Sequence, residues 1–152
     1  MKNYFLLITF LFCSSIIAQN SLLLPPENVQ MAFKNKYPSK IPIWSIEYSN
    51  NQKEEVEFEA QFAETSGIKA CAVYDQSGAF KAYKVPIQLN KLPKKVQIYL
   101  KKNYTLKFIK EILNVLDDKN ASSYSVSLRK NAKLYRLIFD ANGDYKDRTR
   151  LI

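Results

Sequence analysis

The sequence predicts an α+β fold, a two-layer sandwich in which a helix plus four antiparallel strands occurs twice in tandem. Three observations predict it. The segment PENVQMAFKNKY (26–37) aligns without gaps on PKKVQIYLKKNY (93–104). After each of these segments the apolar spacing changes from a helical period to strict alternation. The turn sequence AVYDQSGAF (72–80) then returns as LIFDANGDY (137–145). A sheet with one dry face must be covered on that face, and the two helices are there to cover it.

The chain opens MKNYFLLITFLFCSSIIAQN. A basic Lys2, an almost wholly apolar run over 4–17 and a small residue at Ala18 have the layout of a secretory signal peptide. The run is shorter than the roughly 20 residues a spanning helix needs. Cleavage is expected near Ala18, leaving 19–152 as a single domain and placing the product in the periplasm or outside the cell. Bulky Phe12 before Cys13 argues against lipid attachment there. With Cys13 removed, Cys71 is the only thiol, so no internal disulfide can form and packing must hold the core. Cys71 itself reads as an inert packing residue.

The first unit is expected over 25–88 and the second over 89–152. Val29, Ala32, Phe33 and Tyr37 form one helical face, and Val96, Tyr99, Leu100 and Tyr104 repeat it. Pro26 and Pro93 suit a helix start, and Pro38 stops the first helix. Strands are expected near 41–49, 54–63, 68–74 and 79–86, then near 106–116, 122–129, 133–140 and 144–150. In EEVEFEAQF, Val56, Phe58, Ala60 and Phe62 alternate with Glu55, Glu57, Glu59 and Gln61. In SSYSVSLR, Tyr124, Val126 and Leu128 alternate with serines, so Ser125 and Ser127 stand where the run EVEF has its glutamates, Glu55 and Glu57. IPIWSIEYS does not alternate cleanly and leaves open which of Ile43 and Trp44 faces the helices. Asp75-Gln76-Ser77-Gly78 and Asp140-Ala141-Asn142-Gly143 each predict a tight hairpin: Asp accepts a backbone N–H, and Gly supplies a positive φ.

A helix ending in Lys36, Tyr37 and Pro38, a strand carrying Trp44, the run Glu55-Val56-Glu57-Phe58, the hairpin Tyr74-Asp75 with Gly78, and then Leu92-Pro93, Val96 and Tyr104 together resemble the PepSY-like family. These are small exported proteins of Bacteroidetes-type bacteria. The resemblance spans essentially all of the mature chain. It implies a duplicated unit, a fold similar to the β-lactamase inhibitor protein, no cofactor, and binding or inhibition of a peptidase. It supplies no catalytic residues.

Composition excludes much chemistry. The chain has no histidine, which removes Ser-His and Cys-His catalysis and ordinary zinc sites. DANGD (140–144) has its glycine at position 4, where a calcium loop needs it at 6, so it reads as a hairpin. Glu57 and Glu59 read as a solvated strand face in preference to an acid/base pair. The expectation is therefore a non-enzymatic binding module with no metal.

Its partner surface is expected on the sheet face away from the helices. By alternation that face carries Lys69, Cys71 and Val73, then Leu134, Arg136 and Ile138, with Glu57, Glu59, Tyr83 and Arg129 alongside. The alternative rests on charge. Residues 25–90 hold seven lysines against eight acids, whereas 91–152 hold fifteen basic residues against six acids. Lys94, Lys95, Lys101 and Lys102, with Arg129, then read as a surface for anionic lipid or glycan. No nucleic-acid motif is present.

Overall fold

A computed structural model describes residues 24–48, 56–65 and 67–151. The expected signal peptide and Cys13 lie outside them. The elements run α1 (Glu27–Lys36), β1 (Ile43–Tyr48), β2 (Val56–Thr65), β3 (Ile68–Asp75), β4 (Phe80–Pro86), α2 (Lys94–Asn103), β5 (Ile109–Asp117), β6 (Ser122–Lys130), β7 (Lys133–Asp140) and β8 (Tyr145–Arg150). All eight strands lie in one sheet in chain order, and every neighbouring pair is antiparallel. The predicted two-layer sandwich is the observed one. The strand expected from 106 begins at Ile109, because Leu106–Phe108 first wind into a 3-10 turn closed by Phe108 N–H donating to Thr105 O at 3.0 Å.

The recurring prolines and glutamines have local causes. Pro26 and Pro93 are extended residues immediately before each helix, and their carbonyls accept from Gln30 and Gln97 N–H, each at 3.1 Å. The side chains of the same glutamines donate backwards, Gln30 Nε2 to Pro25 O at 2.7 Å and Gln97 Nε2 to Leu92 O at 2.8 Å. Each helix is thereby tied to the chain that enters it.

Each helix covers its own core. Val29 and Phe33 of α1 pack with Phe58, Phe62 and Tyr74, while Val96 and Leu100 of α2 pack with Val126, Leu128, Leu137 and Phe139. Val29 and Val96 are both fully buried at matching places. Trp44 packs on the first core and Ile43 is 67% exposed, which settles the phase of β1.

The two hairpins join these layers. Asp75 Oδ1 accepts from Ser77 N–H at 2.9 Å and Ala79 N–H at 3.0 Å; Asp140 Oδ1 accepts from Asn142 N–H at 3.0 Å and Asp144 N–H at 2.8 Å. The turn occurs a third time where no glycine marks it. Asp117 Oδ1 accepts from Lys119 N–H at 2.9 Å and Ala121 N–H at 2.7 Å, with Asn120 at φ 61° in the glycine's place. The hairpin glycines also sit against the helix starts. A Cβ on Gly143 (φ 80°) would lie 3.0 Å from Val96 Cγ2 and 3.2 Å from Pro93 Cβ. Gly143→Ala is therefore expected to cost about 2 kcal/mol from strain and overlap together. Gly67→Ala, where a Cβ meets open space, is expected to cost about 1 kcal/mol from strain alone. Denaturant melts of the two variants compare them directly.

Tyr74 Oη is buried and has no hydrogen-bond partner among the described residues. Burial, with Tyr37 nearby, pushes the phenol's pKa upward, so it stays neutral. Its counterpart in the second unit is Phe139, which fills the same position with no polar atom. Tyr74→Phe is accordingly expected to stabilise the protein by about 1 kcal/mol, visible as a raised denaturation midpoint.

Candidate functional site

Alternation through β4, counted from inward Phe80, places Tyr83 on the face away from the helices. The structure reverses this. A bulge lies between the pairs Val73↔Ala82 and Tyr74↔Phe80, and Lys81 is the extra residue. Beyond it the phase flips, so Tyr83 joins the helix-side core and Lys84 points to the opposite face. The bulge recurs at Lys146, between Ile138↔Asp147 and Phe139↔Tyr145. Both extra lysines pair with their hairpin's aspartate, Lys81 with Asp75 at 3.0 Å and Lys146 with Asp140 at 2.8 Å.

Lys84 is the centre of the site. Its ammonium donates to Glu59 Oε1 at 2.5 Å and to Glu47 Oε2 at 3.3 Å, and its side chain is only 17% exposed. Glu47 also accepts from Arg136 Nη1 at 2.6 Å. This last contact fixes the shape of the sheet. Glu47 is on β1 and Arg136 on β7, six strands apart, so a flat sheet would separate them by about 29 Å. They touch, so the sheet curls strongly away from its helices. The concave side is a trough of about 550 Å³, lined by Ser45, Glu59, Lys69, Cys71, Lys84 and Arg136 among others.

The curl explains burial that alternation alone does not. Val73, expected on the outer face, is on that side but only 1% exposed. Ser125 and Ser127 are buried there too. Strand register pairs Glu59 with Val73 and Gln61 with Cys71 in the first unit, and Ser125 with Ile138 and Ser127 with Arg136 in the second. The aspartates of the two hairpins pair with Glu57 and Ser123. Ser123, Ser125 and Ser127 are therefore the counterparts of Glu57, Glu59 and Gln61, four residues out of step with an alignment that sets Glu55 and Glu57 against Ser125 and Ser127.

The charges are fixed by one another. Burial would raise the pKa of Glu47, but its hydrogen bond with Glu59 and the cations of Lys84 and Arg136 outweigh that and hold it at about 2. Burial raises Glu59, the carboxyl that lacks Arg136. For Lys84, burial works to lower the pKa, yet Glu59 and Glu47 together raise it, so the amine remains an ammonium and is no nucleophile. Burial and Glu59 push the Cys71 thiol up to about 12, which keeps it protonated and unreactive, as its strand setting suggested. The described residues contain no cluster of three or more potential metal-ligating side chains. What the trough offers is oriented charge and hydrogen-bonding capacity.

Of the expected partner-binding residues, Glu59, Lys69 and Arg136 line the trough, and Lys69 is exposed at its rim. Glu57 lies half-buried on the same face, in register between Glu47 and Asp75. Tyr83 is on the other side. Arg129 stands exposed at the end of β6, beside the last turn of α2. The anionic-surface set divides: Lys94 and Lys95 start α2, and Lys101 and Lys102 end it, about 10 Å further along the axis. Lys95 is paired with Asp144, whereas Lys101, Lys102 and Arg129 share a cleft. Lys84 and Glu47 were not among the expected residues. The recurring Asp-x-x-Gly-x-aromatic-Lys spacing, with a lysine that turns back to the aspartate, was the signal for the flip.

A single antiparallel meander, backed on one side by two helices and curled into a charged trough on the other, is a BLIP-like α+β fold. Crystal structures of Bacteroides proteins share the fold, among them the following three. A DUF2874 family protein from Bacteroides ovatus is 17% identical, with a TM-score of 0.59 over 84% of this chain and 88% of that one. A BLIP-like protein from Bacteroides fragilis is 16% identical, with a TM-score of 0.56 over 85% and 88%. A protein assigned to the periplasm of Bacteroides eggerthii is 15% identical, with a TM-score of 0.60 over 84% and 89%. At these identities the likeness establishes the fold. No protein-family model and no curated protein matches the chain, so the PepSY-like resemblance has no family match behind it. Among the described residues no helix is long and apolar enough to cross a membrane.

Proposed function

We propose that the chain is a non-enzymatic binding module of the bacterial envelope whose trough receives a segment of a partner protein. Residues 19–152 act as one exported domain, released by cleavage near Ala18. The observation that carries this reading is the contact of Arg136 with Glu47, which turns the sheet face into a concave site. Concavity with partly buried Arg and Glu suits a docked loop, since desolvated charged anchors at the centre of an interface dominate its energetics. The absence of histidine and the protonated state of Cys71 and Lys84 speak against hydrolytic chemistry there. A peptidase is the partner class that the family resemblance names.

A photo-reactive residue at Lys69, on the trough rim, should capture a protein from native envelope, and the same group at Ile98, exposed on α2, should not. Charge reversal by Arg136→Glu, with the photo-reactive residue kept at position 69, should abolish that capture. Equal capture from both positions would remove the trough from the account.

A further inference from the structure

We infer that the cleft between the last turn of α2 and the β6–β7 hairpin is a separate binding site for an anionic saccharide. Lys101, Lys102, Arg129 and Lys130 converge on a cleft of about 440 Å³ whose lining contains no acidic residue. Among the described residues none of the four forms an ion pair, whereas Lys81, Lys84, Lys95, Arg136 and Lys146 all do. Two rings lie among these cations. Lys130 Nζ is 5.1 Å from the centre of the Tyr104 ring, and Phe108 is 44% exposed. A sugar ring presents apolar C–H faces to such rings, and its phosphate or carboxylate groups meet the surrounding ammonium and guanidinium donors.

The first unit argues that the fold does not require this cluster. The corresponding hairpin, between β2 and β3, carries Glu64 and is held by Lys40, whose ammonium donates to the carbonyls of Ala63 at 2.7 Å and Glu64 at 2.9 Å. There the cation is consumed by the turn. In the second unit β6 and β7 pair down to Lys130↔Lys133 over a two-residue turn, leaving the charges unspent. Basic residues in the last turn of α2 favour its dipole, but that effect accounts for neither Arg129 nor Lys130.

The test is a calorimetric and amide-shift titration of the mature chain with oligogalacturonate, with neutral maltotetraose and tripolyphosphate alongside. Oligogalacturonate should bind and shift amides over 101–108 and 129–131. Arg129→Gln/Lys130→Gln should weaken it by about tenfold or more. Lys94→Gln/Lys119→Gln, which removes equal charge elsewhere, should leave it unchanged. Lipopolysaccharide aggregates bound through the same residues more tightly than the free oligosaccharide would assign a lipid-anchored source, and the reverse a free glycan; either supports the site. Equal loss in the two double variants, equal affinity for tripolyphosphate or maltotetraose, or no shifts at all would overturn it. None of these outcomes bears on capture at Lys69.

Discussion

Lys84→Met is expected to destabilise the protein by about 3 kcal/mol at neutral pH, because it leaves Glu47 and Glu59 together in a partly buried site with only Arg136 to offset them. The loss is conditional on those carboxylates. In a Glu47→Gln/Glu59→Gln background the same substitution should cost about 1 kcal/mol or less, since no orphaned charge remains. The pH dependence has a definite sign. Glu47 is depressed to about 2 from its ordinary 4.5, so the stability it contributes is fully present above 4.5 and is lost as pH falls through 2. Glu59 is raised and works in the opposite sense, its cost appearing as pH rises. Removing Lys84 raises both carboxyls, and these then gain stability on protonation. The gap between wild type and Lys84→Met should therefore narrow on acidification from pH 7 to pH 4. Urea melts at the two pH values measure it, and a gap that widens would show that Lys84 does not neutralise this pair.

Phe139→Ala carries the other large effect, an expected loss of about 4 kcal/mol. Phe139 is fully buried, packs edge-on against Tyr99 at 5.4 Å and Tyr145 at 5.9 Å, and lies where α2, β7 and β8 meet. The second core is distinct from the first, so near-ultraviolet signal from Trp44, which packs in the first core, should persist in the native state of the variant. A loss below about 1 kcal/mol would mean that α2 does not cover the second core.

The fold was largely legible because its elements announce themselves locally. Helical spacing behind Pro26 and Pro93, and alternation in EVEFEAQF and SVSL, depend only on near neighbours. The two glycine-marked hairpins were equally plain. The third hairpin was not, since Asn120 adopts the left-handed conformation that Gly holds in the other two, and the aspartate alone is a weak marker. The 3-10 turn at Leu106–Phe108 was hidden in the same way, as an apolar run that reads equally as strand.

The site was less legible, for two physical reasons. A bulge changes the phase of a strand without changing its composition, so Tyr83 and Lys84 exchanged faces. Curl is a property of the whole sheet, and no local pattern tells that β1 and β7 approach each other. Arg136 was placed on the correct face by alternation, but its partner, Glu47, is 89 residues away. The basic character of the second unit was readable from composition. Its division between a helix start that pairs with Asp144 and a cleft whose cations form no ion pair among the described residues was not, because that depends on where Asp144 falls.

The curl of the sheet underlies both the trough and the function proposed for it, and a double-mutant cycle on Glu47→Gln and Arg136→Gln measures it most directly. Residues in contact couple, whereas residues more than about 10 Å apart add. A coupling free energy of about 1 kcal/mol is predicted for this partly buried pair. Additivity within about 0.3 kcal/mol would mean that β1 and β7 do not meet across the sheet, and the trough would not exist.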